Sequence, residues 1–419
     1  MKRFSICLLI MLLLLGVCGC GQAPVIETTA ATVPTEPVGP QIDPVLAQRR
    51  DIAESYMRNM LSILWSPEED ILYTTANGVS PEAADPGKQF LLRSDRVYRG
   101  IPYSFAGCTT AAFLEYAQRD GDIYKISGLD WKPLSGSSKT ARVGNDGSSS
   151  LVLAWCQVGN SVKLMSTSYM TMDRGFLPVG NYKTTDKKLN ETTQYCTANG
   201  KQLMFESYAQ MLKADGLVKS GSGGGHAMMA VSISTVYHED GTINGGESTV
   251  TVLEQTKEHF LKEVHSYDES LGRDVYHISG VDVVYTFRQL FDLGYIPITC
   301  KELTNPAQPR EAKVGDSELS PKIETAFAGY IDCNHHIDTI TITILDENDQ
   351  VVQEAAIRPV RGSNMTIAVK RFLEDDPATI RGFIDLSQLE EKEYRFMLTC
   401  RLINGQEVTT RDYHFRLDE

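Results

Sequence analysis

What this chain can fold into is set first by how it opens. Lys2 and Arg3 precede an apolar run from Ile6 to Val17. A helix that crosses a bilayer needs about 20 apolar residues, so this run is too short to be a mature span. Positive residues, a short apolar stretch and then Cys18, Gly19 and Cys20 make a secretory signal that is removed from the mature chain. No later stretch is long and apolar enough to cross a membrane. Between Gly21 and Pro44, Thr, Pro, Ala and Val recur without periodicity. Such a segment buries no core, so residues 20–45 are expected to be a flexible tether.

The end of the apolar run, Val17-Cys18-Gly19-Cys20, resembles the lipobox of bacterial lipoproteins: an aliphatic residue, two small ones, then the cysteine that receives lipid. The resemblance implies that residues 1–19 are cleaved off and that Cys20 carries acyl chains such as palmitate. The protein is then anchored by lipid at the outer face of a cell membrane.

About 375 residues remain, enough for two domains. The chain is 42% apolar and 22% charged, in the globular range. Its formal net charge of -14 argues against nucleic acid and against binding anionic wall polymers through bulk electrostatics. Beyond Cys20 the cysteines are Cys108, Cys156, Cys196, Cys300, Cys333 and Cys400, sparse and without a C-x-x-C pair. That spacing offers no zinc site, and no motif calls for a cofactor. Cys333 and Cys400 share the C-terminal region and are the first candidates for a disulfide in an exported protein.

Along the chain, Ile52, Tyr56, Met60 and Leu64 mark an amphipathic helix over Asp51–Leu64. Further helices are expected at about Ser149–Val158 and Gln202–Leu212. Two strands, Ala227–Tyr237 and Ser248–Gln255, are joined by the turn-rich His238–Gly246. The stretch 301–319, with Asn305-Pro306 and Pro309, reads as a linker. Beyond it, seven short alternating runs follow: Thr325–Cys333, Ile337–Leu345, Val351–Ile357, Met365–Val369, Ile380–Asp385, Tyr394–Leu402 and Glu407–Phe415. They predict a small antiparallel, Ig-like β-sandwich over 320–419. The fold class is α+β, with the larger domain over 46–300.

Three segments of that larger domain suggest chemistry. They are Gly100-Ile101-Pro102-Tyr103, then Gly144-Asn145-Asp146-Gly147-Ser148-Ser149, then Asp215-Gly216-Leu217-Val218 with Gly225-His226. In that order they resemble the NlpC-type cell-wall cysteine peptidases, a papain-like family. The resemblance covers about residues 98–256. It implies a cysteine on the first turn of a helix, its thiolate stabilised by the helix dipole. A histidine on a facing strand takes the proton, and a polar residue on the next strand orients the ring. The places map to Gly147, His226, and Glu254 or Gln255. Gln255 is preferred, because a neutral amide is a common orienting partner in papain-like sites. Tyr103 and Asp146 would line the groove.

The nucleophile is the departure: Gly147 stands where the family has cysteine and has no side chain with which to attack. Three explanations compete. The domain is a non-catalytic relative that kept the groove, a pseudoenzyme of the cell envelope binding peptidoglycan peptides or an envelope protein. Or Ser148 acts instead, although one helical step turns its side chain about 100° from the base, and a serine there otherwise caps the helix. Or Cys108, in Gly107-Cys108-Thr109-Thr110, is the nucleophile of an active peptidoglycan amide hydrolase with His226. The paired His335-His336, close to Asp332 and Asp338, looks like a metal cluster. Neighbouring strand residues point to opposite faces, so it is expected as turn surface.

Overall fold

The computed structural model describes residues 42–76, 79–129, 131–133, 140–159, 161–307, 314–316, 327–333, 337–357, 365–369 and 389–416. Cys20, the signal segment, most of the tether, His335-His336 and the expected strand Ile380–Asp385 lie outside the described residues. Among those described, no helix is long and apolar enough to cross a membrane. The architecture is α+β.

Helix α1, Pro44–Ser62, begins earlier than its apolar spacing suggests. Asp43 caps it by accepting from the Val45 amide at 2.8 Å, and Pro44 takes the first turn, where its missing N–H costs nothing. Ala53, Met57, Met60 and Leu61 form its buried stripe. On the same helix, Arg50 reaches Asp215 at 2.9 Å and the carbonyls of Lys213 and Leu303, while Arg49 binds the carbonyls of Glu302, Asn305 and Ala307. A short helix α2, Thr110–Leu114, follows the Pro102-Tyr103 segment. Helix α3 runs Gly147–Trp155 and is buried on every side.

The central sheet has six antiparallel-paired strands. In chain order they are β1 (Phe176–Pro178), β2 (Gly216–Lys219), β3 (His226–Ser234), β4 (Thr249–Glu254), β5 (Gly280–Thr286) and β6 (Ile296–Cys300). Their spatial order is β5-β4-β3-β2-β6-β1. Helix α3 lies against β3, and α1 packs on α3. A second six-stranded sheet, mixed in direction, contains Leu64–Pro67, Val97–Arg99, Ala117–Asp120, Ile123–Ile126, His265–Asp268 and Arg273–His277.

Within 301–319, two short described segments carry structure. Lys301–Leu303 is a single tight turn with Leu303 buried in the main core. Val314–Asp316 pairs with Phe327–Cys333. The C-terminal region holds a three-stranded sheet, with Met365–Val369 beside Phe327–Cys333. It also holds a four-stranded sheet of Val351–Ile357, Ile337–Leu345, Glu393–Leu402 and Glu407–Arg416. The second sheet has its own core around Ile340, Ile342, Phe396 and Leu398. It contacts the first body where the Thr109 hydroxyl donates to Asp338 at 3.0 Å, a carboxylate also held by Arg401 at 2.9 Å. The proposed Cys333–Cys400 disulfide involves a side chain, that of Cys333, outside the described residues; their strands belong to different sheets.

Candidate functional site

The site is built where α3 meets β3. Asp146 caps α3: its Oδ1 accepts from the Ser149 amide at 2.7 Å, from the Ser149 hydroxyl at 2.6 Å and from the Ser148 hydroxyl at 2.9 Å. The Ser149 hydroxyl in turn receives the Asp146 amide at 3.0 Å, completing a capping box. The segment before it is pinned by the Gly100–Tyr103 stretch: the Asn145 amide donates to the Pro102 carbonyl at 2.9 Å, and Tyr103 bridges to Asn145. These bonds fix the direction in which the first turn of α3 points.

That turn points at His226. A β-carbon built on Gly147 would lie 2.9 Å from His226 Nδ1 and 2.4 Å from the Ala227 carbonyl oxygen. Ordinary contact begins near 3.4 Å. The helix start and the strand have closed on each other to a separation only glycine permits. Gly225, just before the histidine, is similarly hemmed in by the Thr167 hydroxyl.

The other ring nitrogen is held by a carboxylate. His226 Nε2 lies 2.8 Å from Glu254 Oε2, and both side chains are largely buried, at 16% and 7% exposure. Register explains the partner. Met228 pairs with Glu254 across β3 and β4, so Glu254 lies on the face shared by His226 and Met228, one diagonal from the ring. Gln255, the residue preferred as the ring's orienting partner, does not hold it; Glu254 does. Gln255 leaves on the opposite face, fully buried, and its amide donates to the Ile101 carbonyl at 2.6 Å. Burial raises the Glu254 carboxyl, but the hydrogen bond and charge of His226 outweigh it, with help from His259 and Tyr285. The net result is a carboxyl held below its usual value.

Three residues around the ring carried no signal in the sequence beyond being aromatic or basic. The Tyr285 hydroxyl donates to Glu254 Oε1 at 3.3 Å, and burial next to that carboxylate pushes the phenol up to about 12. Tyr295 stands edge-on to the imidazole at 6.4 Å, and the Lys219 ammonium lies 5.0 Å from the Tyr295 ring centre. Alternation in Gly280–Thr286 is the one local cue that could have placed Tyr285 on a strand.

The two alternative nucleophiles are engaged elsewhere. The Ser148 hydroxyl donates to its own helix cap. Cys108 is buried, its thiol directed to the Thr109 carbonyl at 3.3 Å and its main chain tied to Gly144 and Asn145. Tyr103 is half-buried, its ring edge-on to Phe105 at 5.8 Å. Among the described residues, no group of three or more His, Cys, Asp or Glu is arranged to hold a metal ion.

No family model matches this chain, and no curated protein matches it. Among solved structures, wild-type OgpA from Akkermansia muciniphila is similar over 28% of this chain and 32% of its own, at 20% identity and a TM-score of 0.19. Catalytically inactive OgpA in complex with an O-glycopeptide, glycodrosocin, is similar over 35% of this chain and 38% of its own, at 18% identity and the same TM-score. A tetra-tandem repeat from the extending region of a large adhesion protein aligns over 49% of this chain and 41% of its own, at 11% identity and 0.19. The chain thus spans about a third of the length of OgpA. Superposition at that level carries no argument about fold or function.

Proposed function

We propose that this is a non-catalytic envelope-binding lipoprotein: a papain-like, NlpC-type domain that has kept its groove and lost its nucleophile. It is followed by an Ig-like sandwich and held at the outer face of a membrane by lipid on Cys20. The observation that carries the reading is the closed contact at Gly147. The helix start, the imidazole and its carboxylate stand in the relation that acyl transfer requires. The place of a β-carbon at residue 147 is taken by the Ala227 carbonyl and the His226 ring. With glycine at 147 the His226–Glu254 pair has no side-chain nucleophile beside it with which to form an acyl intermediate.

The side chains gathered around His226 are an imidazole, a carboxylate, a phenol and an ammonium, from His226, Glu254, Tyr285 and Lys219. That set pairs with the alternating amides, carboxylates and amines of a peptidoglycan stem peptide. Isothermal titration of the full chain with purified stem peptides tests the reading. Saturable binding that weakens in Lys219→Ala and Tyr285→Phe is expected. The absence of binding to stem peptides at millimolar concentration would overturn the wall-peptide assignment and leave an envelope protein as the partner.

A further inference from the structure

A separate cavity of about 360 Å³ opens between the second sheet and the segment following β4. It lies within the range of about 300–1,000 Å³ that small-molecule pockets occupy. Its wall joins an apolar side, Phe90 and Leu92, to a polar side, Arg96, His259, Glu263 and Tyr276. None of these residues belongs to the motifs described above, and no ligand is assigned to them by the groove at Gly147.

The polar side is neutral as a unit. Arg96 Nη1 donates to Glu263 Oε1 at 2.7 Å, and the guanidinium lies 4.3 Å from the centre of the Tyr276 ring. Glu263 takes part in this pair from a left-handed backbone, φ +48°, which a non-glycine residue adopts at a cost. His259 Nδ1 lies 2.9 Å from the Ser279 carbonyl. A carbonyl only accepts, so Nδ1 donates that bond, and Nε2 is the ring nitrogen left for another partner. The cavity therefore offers a guanidinium, a carboxylate and an imidazole beside an apolar side.

We propose that this cavity binds a neutral saccharide of one or two rings. A hydroxyl both donates and accepts, so a sugar adds to the Arg96–Glu263 pair without breaking it. The C–H face of a pyranose ring covers Phe90 and Leu92. An anionic ligand would compete with Glu263 for Arg96 and would be repelled by a chain of formal charge -14. A cationic ligand would have to draw Glu263 from Arg96.

The test is calorimetric titration of the full chain, in a non-glycosidic detergent, with N,N′-diacetylchitobiose and with cellobiose. Cellobiouronic acid serves as the anionic control. Binding of at least one neutral disaccharide, tighter than that of the acid, is expected. Phe90→Ala and Glu263→Gly each weaken it by roughly tenfold or more. Glycine suits the left-handed backbone at 263, so Glu263→Gly removes the carboxylate without threatening the fold. A melting temperature at or above that of the parent confirms this for the same sample. The proposal is overturned if neither neutral disaccharide binds, if the acid binds more tightly, or if binding survives both substitutions unchanged.

Discussion

Gly147→Ala adds one carbon to the first residue of α3, and two effects oppose each other. In a helix interior alanine is favoured over glycine by about 1 kcal/mol, so propensity alone makes the variant more stable. The added carbon falls 2.4 Å from the Ala227 carbonyl oxygen and 2.9 Å from His226 Nδ1. Relief requires a separation of about 1 Å between helix and strand. The obstacle is main chain, held by the pairing of Ala227 with Val218 and of Met228 with Glu254 on either side of β3. Overfilling a packed interior costs about 1–3 kcal/mol. At the first helical position the propensity gain is partial, so a net loss of about 1–2 kcal/mol is expected. Urea unfolding of the full chain, followed by tryptophan fluorescence, reads it as a lower midpoint with an unchanged slope. A midpoint equal to or above that of the parent would refute the closed contact between α3 and β3. Gly147→Cys carries the same β-carbon plus sulfur and is expected to lose more stability than Gly147→Ala.

The remaining predictions concern charge. The Glu254 carboxyl titrates below its ordinary value of 4.5, so its contribution is complete above the unfolded value and is lost as pH falls through the folded one. Acid unfolding curves should show stability declining below about pH 4.5, and Glu254→Gln should flatten that decline; an unchanged slope would contradict the His226–Glu254 pair. Arg50→Ala strands Asp215, a carboxylate paired at 2.9 Å with only 2% exposure, and should cost about 3–5 kcal/mol in urea unfolding. A loss below about 1 kcal/mol would show that the pair is solvated.

Much of the local structure was legible. Ile337–Leu345, Val351–Ile357 and Met365–Val369 occupy the ranges their alternation predicts, because each is read from a period of two within one strand. Helix α3 begins two residues earlier than its apolar stripe suggests, because the cap at Asp146, not the stripe, sets its start. Helix α1 begins seven residues earlier for the same reason, at Asp43 and Pro44. The choice between Glu254 and Gln255 was not legible. Alternation says that one of them faces the histidine, but which one depends on the Met228–Glu254 register, a pairing across 26 residues. The roles of Tyr285, Tyr295 and Lys219 were hidden likewise, since two strands, β5 and β2, and the residue just before β6 bring them together around one imidazole. The Arg96–Glu263 pair joins residues 167 apart in sequence, and no local pattern announces it.

The central claim is that the groove holds but does not cut. Its most direct measurement is mass spectrometry of purified peptidoglycan after incubation with the full chain, with Cys108→Ala and Ser148→Ala in parallel. The account predicts no new amine ends from any of the three proteins. New amine ends from the parent that disappear in either variant would contradict it and identify that residue as the nucleophile.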